Sequence, residues 1–287
     1  MPTLRPLEPG TSVLDNWALL DQAERDAAYN NTAAVADSAR LTAERTAASA
    51  KLRASRRCIL DVRYGPRERN AFDLFPAADP AAPCLVFIHG GYWQRNARDM
   101  FSAVAEGVLA HGWAAALPGY TLAPDASLRE IVAEIMSALD WLASDGASHG
   151  VAGPLVVSGW SAGGHLTALA LAHPRVQAGL AISGIFELGP LRDTYLNEKL
   201  LLTEDEVVQL SPLRLPAVSK PLAIAYGTRE LPLLIYNSRA FHAFRSGAHA
   251  PGPLLPIANC DHFTILAELE KPDGQLTAAA LALVASS

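Results

Sequence analysis

Six short apolar runs punctuate this chain from its first third onward, at residues 84–88, 113–117, 155–158, 180–182, 222–226 and 254–258. Helical patterns fill most of the gaps between them, at 96–111, 128–144, 162–173 and 236–245. Uninterrupted apolar strands that alternate with helices belong to a sheet buried on both faces, so the chain is expected to form a mainly parallel central sheet flanked by helices. Two earlier extended runs, 58–64 and 71–75, are separated by a turn at Gly65-Pro66 and add strands to the same sheet. Residues 13–55 have another texture, alanine-rich and polar without strand-like runs, with helices expected at 21–29 and 37–54. The chain therefore reads as a short N-terminal helical cap over residues 1–55 and one α/β domain over 56–287. Half of the 287 residues are hydrophobic, enough for a sizeable core.

Several partner classes are set aside by charge and composition. The formal charge is −6, and the densest basic stretch, Lys51, Arg53, Arg56 and Arg57, reads as a solvated helix end, so no nucleic-acid partner is expected. No apolar run approaches the ~20 residues of a membrane span, and residues 1–10 lack the apolar core of a secretory leader. Cys58, Cys84 and Cys260 are odd in number, far apart and without metal-ligand spacing, which fits a reducing compartment. A soluble cytoplasmic protein without membrane partner, metal or cofactor is expected. A homodimer stays open.

Chemistry enters at Gly159-Trp160-Ser161-Ala162-Gly163, which follows the apolar run at 155–158 and leads into a helical pattern. A G-x-S-x-G sequence between a strand and a helix places its serine on a sharp turn, with the hydroxyl exposed at the carboxyl edge of the sheet. Gly159, Gly163 and Gly164 let neighbouring backbone approach without a Cβ clash. Ser161 is the expected nucleophile. About 70 residues earlier, His89-Gly90-Gly91-Tyr92-Trp93 follows another strand. The Gly91 and Tyr92 N–H groups, with that of Ala162, are expected to form an oxyanion hole. His89 is expected to hold its loop by hydrogen bonds and not to act as a base.

Triads of this order run serine, acid, histidine. Five of the eight histidines follow Ser161. His165 is tied to the helix after the serine, His173 reads as a helix end, His242 lies within a helical pattern, and His249 sits in a Gly/Ala/Pro-rich loop. His262, in Asn259-Cys260-Asp261-His262-Phe263 after the last strand, is the expected base. The first carboxylate after the preceding strand is Glu230, the expected acid, whereas Asp261 is expected to cap the helix that follows it.

Taken together, His89-Gly90-Gly91-Tyr92-Trp93, the run from Gly159 to Leu166 and Asp261-His262-Phe263 resemble the kynurenine formamidase (arylformamidase)-like branch of the α/β-hydrolase esterase/lipase superfamily. Gly119-Tyr120-Thr121-Leu122-Ala123-Pro124 and Ser183-Gly184-Ile185-Phe186-Glu187-Leu188 are similar to segments of that branch. The resemblance runs from Ala71 to the C-terminus and more weakly over the N-terminal helices. It implies an α/β-hydrolase catalytic domain with nucleophile Ser161, base His262 and oxyanion donors Gly91, Tyr92 and Ala162. Two positions depart from related patterns. The hormone-sensitive-lipase branch has a third glycine where this chain has Tyr92, and the formamidases have aspartate where Glu230 stands.

The expected activity is hydrolysis of small to medium carboxylic esters through an acyl-enzyme. The alternatives are arylformamidase cleavage of N-formylkynurenine-type formamides and, more distantly, a non-catalytic binding protein on a hydrolase scaffold. The partner in either enzymatic case is a small-molecule ester or formamide. Trp93, Trp160 and Phe186 lie near the motifs and are expected, with Tyr92, to line an apolar cleft that favours short acyl groups.

Overall fold

Every apolar run of the sequence becomes a strand of one sheet in the computed structural model, which describes residues 16–285. The expectations for residues 1–10 and for the first residues of the cap, 13–15, lie outside the described residues. The strands are Ile59–Arg63 (β1), Ala71–Phe75 (β2), Cys84–Ile88 (β3), Ala114–Pro118 (β4), Leu155–Trp160 (β5), Val176–Ile182 (β6), Leu222–Gly227 (β7) and Leu254–Ile257 (β8). Their spatial order is β1-β2-β4-β3-β5-β6-β7-β8. The β1–β2 and β2–β4 pairs are antiparallel and the others parallel. β5 pairs with β3 up to Gly159–Ile88 and with β6 up to Trp160–Ile182, so the carboxyl ends of these three strands finish side by side.

The helices are Gln22–Tyr29 (α1), Asn31–Ala34 (α2), Ser38–Ser55 (α3), Glu106–Ala110 (α4), Leu128–Ser144 (α5), Ala162–Ala170 (α6), Asn197–Leu200 (α7), Glu204–Leu210 (α8), Pro232–Gly247 (α9), Ala267–Glu270 (α10) and Gln275–Ala285 (α11). Alternate residues of each strand feed two cores. Val86 and Ile88 pack with Leu139, Leu166 and Phe241 on one face, while Leu85 and Phe87 join Leu52, Val104, Leu269 and Leu276 on the other. Burial on both faces is what removes the polar alternation from β3 to β7, at about 1.5–3 kcal/mol for each large side chain.

Helix starts follow local capping chemistry. Asp21, Ser127 and Thr203 each form a capping box with a glutamate three residues on, which sets the first turns of α1, α5 and α8. Three helical expectations shift. The 96–111 pattern divides into a 3₁₀ segment, Arg98–Ala105, and the short α4, because the Ala103 N–H donates to Ser49 Oγ at 3.0 Å instead of to its own helix. The 162–173 pattern stops at Ala170, just short of His173-Pro174, since a proline disfavours helical geometry in the residue before it. The 236–245 pattern starts earlier, with Pro232 in the first turn of α9. Between Ser183 and Pro221, where no periodic pattern stands out, the chain forms α7 and α8.

The long helix α3 lies against the 3₁₀ segment. Ser49 Oγ also donates to the Met100 carbonyl at 3.0 Å, and Arg53 donates to Ser102 Oγ at 2.9 Å and to the Asp99 carbonyl. The basic stretch thus departs from its expected solvated state at Arg53, while Lys51, Arg56 and Arg57 are exposed. Among the described residues no helix is long and apolar enough to cross a membrane.

Candidate active site

Ser161 sits between β5 and α6 with φ 58° and ψ −119°, a backbone conformation that costs a non-glycine residue about 1–3 kcal/mol. The turn is held by its N–H, which donates to the Ile182 carbonyl at 2.8 Å, and by tight glycine packing. A Cβ on Gly163 would stand 2.0 Å from the Ile88 carbonyl oxygen, and one on Gly159 would stand 2.3 Å from that of Gly163. The serine therefore occupies the amino end of α6, where the helix dipole favours negative charge.

The loop after β3 presses against this turn. A Cβ on Gly90 would meet the Trp160 carbonyl oxygen at 2.5 Å and Ser161 Cβ at 3.0 Å. Gly91, Tyr92 and Trp93 all have positive φ, and the loop ties its carbonyls back into itself. The Gly91 oxygen accepts from the Gln94 and Arg95 N–H groups at 3.0 and 3.1 Å, and the Gly90 oxygen from Asn96 Nδ2 at 3.1 Å. The N–H groups of Gly91, Tyr92 and Ala162 donate to no acceptor among the described residues.

Two buried histidines are bound into the scaffold. His89 Nδ1 donates to the Gly90 carbonyl at 2.9 Å, its ring stacks on Tyr120 at 4.3 Å, and burial pushes its pKa down to about 3. His165 Nε2 donates to the Leu210 carbonyl at 2.7 Å, and burial lowers its pKa to about 4. Both remain neutral and lie outside the cavity that Ser161 faces.

His262 does face that cavity. Its Nδ1 lies 3.2 Å from Glu230 Oε2, and the Glu230 side chain is fully buried. The other carboxylate oxygen accepts from Ser183 Oγ at 2.5 Å and from the Gly227 N–H at 2.7 Å. Three donors thus converge on one carboxylate and fix its orientation toward His262. Asp261 spends Oδ1 locally, accepting from the Phe263 and Thr264 N–H groups, both at 2.9 Å. Trp160 closes the arrangement. Its Nε1 donates to the His262 carbonyl at 2.7 Å, and the two rings lie 4.8 Å apart.

The cavity measures about 440 Å³ and has two walls. The sheet edge contributes Gly91, Tyr92, Trp160, Ser161, His262 and Phe263, with Phe101 beside them. The N-terminal helices contribute Asn31, Ser38, Thr42 and Arg45. Asn31 Nδ2 donates to the Tyr92 hydroxyl at 2.7 Å, and that hydroxyl donates to the Tyr29 carbonyl. The side chain at the position of a third glycine therefore ties the helical wall to the glycine-rich loop.

Two of the expected lining residues are corrected. Trp93 is fully buried, and its ring meets His165 edge-on at 5.0 Å. Phe186 folds back under Gly184, stacks on Phe241 at 4.3 Å and belongs to the core. Trp160 and Tyr92 line the cavity. Sequence reasoning missed Ser183 as a partner of Glu230, although it begins one of the familiar segments, and it missed Asn31 and Arg45, which no motif marks.

With this geometry in view, relatives sharpen the reading. The family described as BD-FAE matches residues 73–179. The kynurenine formamidase of Danio rerio is 26% identical over 245 residues, covering 80% of this chain and 83% of that protein. That of Salmo salar is 27% identical over 246 residues with the same coverage. The chain is an α/β-hydrolase, similar in sequence to kynurenine formamidases and in fold to esterases. A solved structure from Silicibacter sp. tm1040 superposes on this hydrolase with a TM-score of 0.82 at 29% identity, covering 90% of this chain and 99% of that one. Esterase B from Lactobacillus rhamnosis shares the fold, with a TM-score of 0.68 at 18% identity over 90% of this chain and 95% of its own. The BD-FAE match over residues 73–179 includes β3, β5 and the serine turn and leaves out α1 to α3.

Proposed function

We propose that this hydrolase is a serine esterase for small to medium carboxylic esters, working through an acyl-enzyme on Ser161. The observation that carries the reading is the buried Glu230–His262 pair, whose histidine shares a cavity with Ser161. With Nδ1–H donated to Glu230, the neutral imidazole keeps the lone pair on Nε2 for the serine proton. Ser161 Oγ attacks the ester carbonyl while His262 takes its proton. The oxyanion forms against the N–H groups of Gly91, Tyr92 and Ala162, each such donor being worth about 3–4 kcal/mol in the transition state. His262 returns the proton to the departing alkoxide. A water molecule, deprotonated by the same ring, then releases the acid.

A second reading, arylformamidase action on N-formylkynurenine-type substrates, is supported by the two fish relatives, which match over 80% of the chain and are named kynurenine formamidases. It uses the same steps, with an amine leaving in place of an alkoxide. In both readings the N-terminal helices within residues 16–55 serve as a cap on the catalytic domain 56–287, and the three free cysteines fit a cytoplasmic setting.

The test is covalent labelling by a fluorophosphonate together with turnover of aryl esters of graded acyl length and of N-formylkynurenine. Labelling is expected in the wild type and absent in Ser161→Ala, whose kcat falls by roughly 10⁴ to 10⁶. Ester kcat/KM is expected to decline beyond about four to six acyl carbons, in steps of ~1–3 kcal/mol per lost contact. Labelling of Ser161→Ala at the wild-type rate would sink the nucleophile, and faster turnover of N-formylkynurenine than of any ester would favour the second reading.

A further inference from the structure

Arg45 stands on α3, nine-tenths buried, and faces the cavity that holds Ser161 and His262. Its guanidinium makes two directed contacts on the far side of the active-site loop. Nε donates to Glu270 Oε1 at 2.8 Å, and Nη2 donates to the Phe263 carbonyl at 2.9 Å. Phe263 directly follows His262. The carbonyl of His262 itself is held by Trp160 Nε1, so the two successive carbonyls at this histidine are gripped by side chains from different elements. One grip comes from the serine turn and the other from the helical lid.

This loop needs such anchors. It leaves the sheet at Ile257, the end of β8, passes through Asn259 with φ 61°, and has no strand partner before Thr264. Glu230 fixes how the His262 ring is turned. The backbone on its amino side is tied down by the Arg229 N–H on the Cys260 carbonyl at 2.9 Å and by Asp261 Oδ1. The two gripped carbonyls hold His262 and Phe263 themselves. An arginine suits the second grip, because its planar fork presents two donors in fixed relation to a carboxylate and a carbonyl on separate elements. Glu270 also offsets the buried charge.

We propose that Arg45 is a positioning residue for His262, which makes the N-terminal helix a working part of the active site as well as its cover. The inference rests on the serine-esterase reading, and one set of measurements separates their failures. The measurements are kcat and KM for p-nitrophenyl acetate, the rate of fluorophosphonate capture by Ser161, and the thermal midpoint, in the wild type, Arg45→Met and Arg45→Lys. A displaced base slows both turnover and capture, so Arg45→Met is expected to lose about 10- to 100-fold in each with KM within about threefold, because reacting groups are sensitive to misplacement on the ångström scale. Arg45→Lys, whose single ammonium can still reach the Phe263 carbonyl, is expected to fall only about three- to tenfold. A purely structural residue would lower the thermal midpoint without slowing capture. Retention of wild-type kcat and capture rate by Arg45→Met overturns the proposal, as does Arg45→Lys that is as slow as Arg45→Met. Should Arg45→Met fail to fold, Arg45→Lys decides alone, and wild-type kcat in that variant overturns the proposal. A wild-type chain that takes no fluorophosphonate at Ser161 overturns the esterase reading itself, and the inference with it.

Discussion

The two walls of the cavity are made in different ways. At the sheet edge, position is set by the backbone. Glycines at 90, 159 and 163 sit where any Cβ would collide with neighbouring backbone, and Ser161 is held at positive φ between a strand and a helix. On the N-terminal side, position is set by side chains reaching across from helices. Asn31 meets Tyr92, Arg45 meets Phe263 and Glu270, and Ser49 meets Met100 and Ala103. The first wall tolerates few residue types at its key places and so leaves a motif behind. The second can be built by many combinations of polar side chains on an alanine-rich helix and leaves none.

Substitutions on the two walls should therefore differ in what they damage. After Ser161, the largest effect is expected at the proposed acid. Glu230→Gln should lower kcat roughly 10³- to 10⁴-fold with little loss of stability, because a neutral amide neither orients His262 nor stabilises its imidazolium. Asp261→Asn, which keeps the oxygen that accepts from Phe263 and Thr264, should stay within about threefold of wild type, since the cap survives. Steady-state rates on one aryl ester decide this, and the reverse ranking would move the acid to Asp261. A smaller effect, of the opposite kind, is expected at Ser49. Ser49→Ala removes two hydrogen bonds between α3 and the 3₁₀ segment and leaves the buried Ala103 N–H unpaired, at about 1–3 kcal/mol. Urea unfolding should show that loss while kcat changes less than about tenfold. A Ser49→Ala protein of unchanged stability would erase the distinction between the walls.

How much was legible in the sequence follows the same division. The strands and the meeting of Glu230 with His262 beside the Ser161 cavity could be read because two-sided burial and a strained turn each demand particular residues. Glu230 was reachable by its place after a strand, despite the aspartate expected from related chains. The directions of Trp93 and Phe186 were not legible, because nearness in sequence to a loop does not say which side of it a ring will occupy. The packing of Trp93 on His165 and the close approach of Phe186 to Gly184 decided those cases. Arg45 was hidden for another reason. Its partners lie more than 200 residues away in the chain, and a lone arginine on a polar helix reads as solvated.

The neutral state of His89 and His165 has a consequence for the whole molecule in acid. In the unfolded chain each ring takes up a proton near its ordinary pKa of 6.5, whereas in the folded protein it resists until about 3 and about 4. Because both folded values are depressed, the contribution to stability is complete above 6.5 and is withdrawn as the pH falls toward those values. Between about pH 6.5 and pH 5, before most carboxylates titrate, each ring withdraws roughly 2 kcal/mol. The unfolding free energy measured in urea should fall steeply across that interval, and a flat profile there would mean that the two rings are protonated without leaving the native state. A hydrolase that releases acid as it works would on this account be undermined by its own product in an unbuffered medium, through two imidazoles that take no part in the reaction.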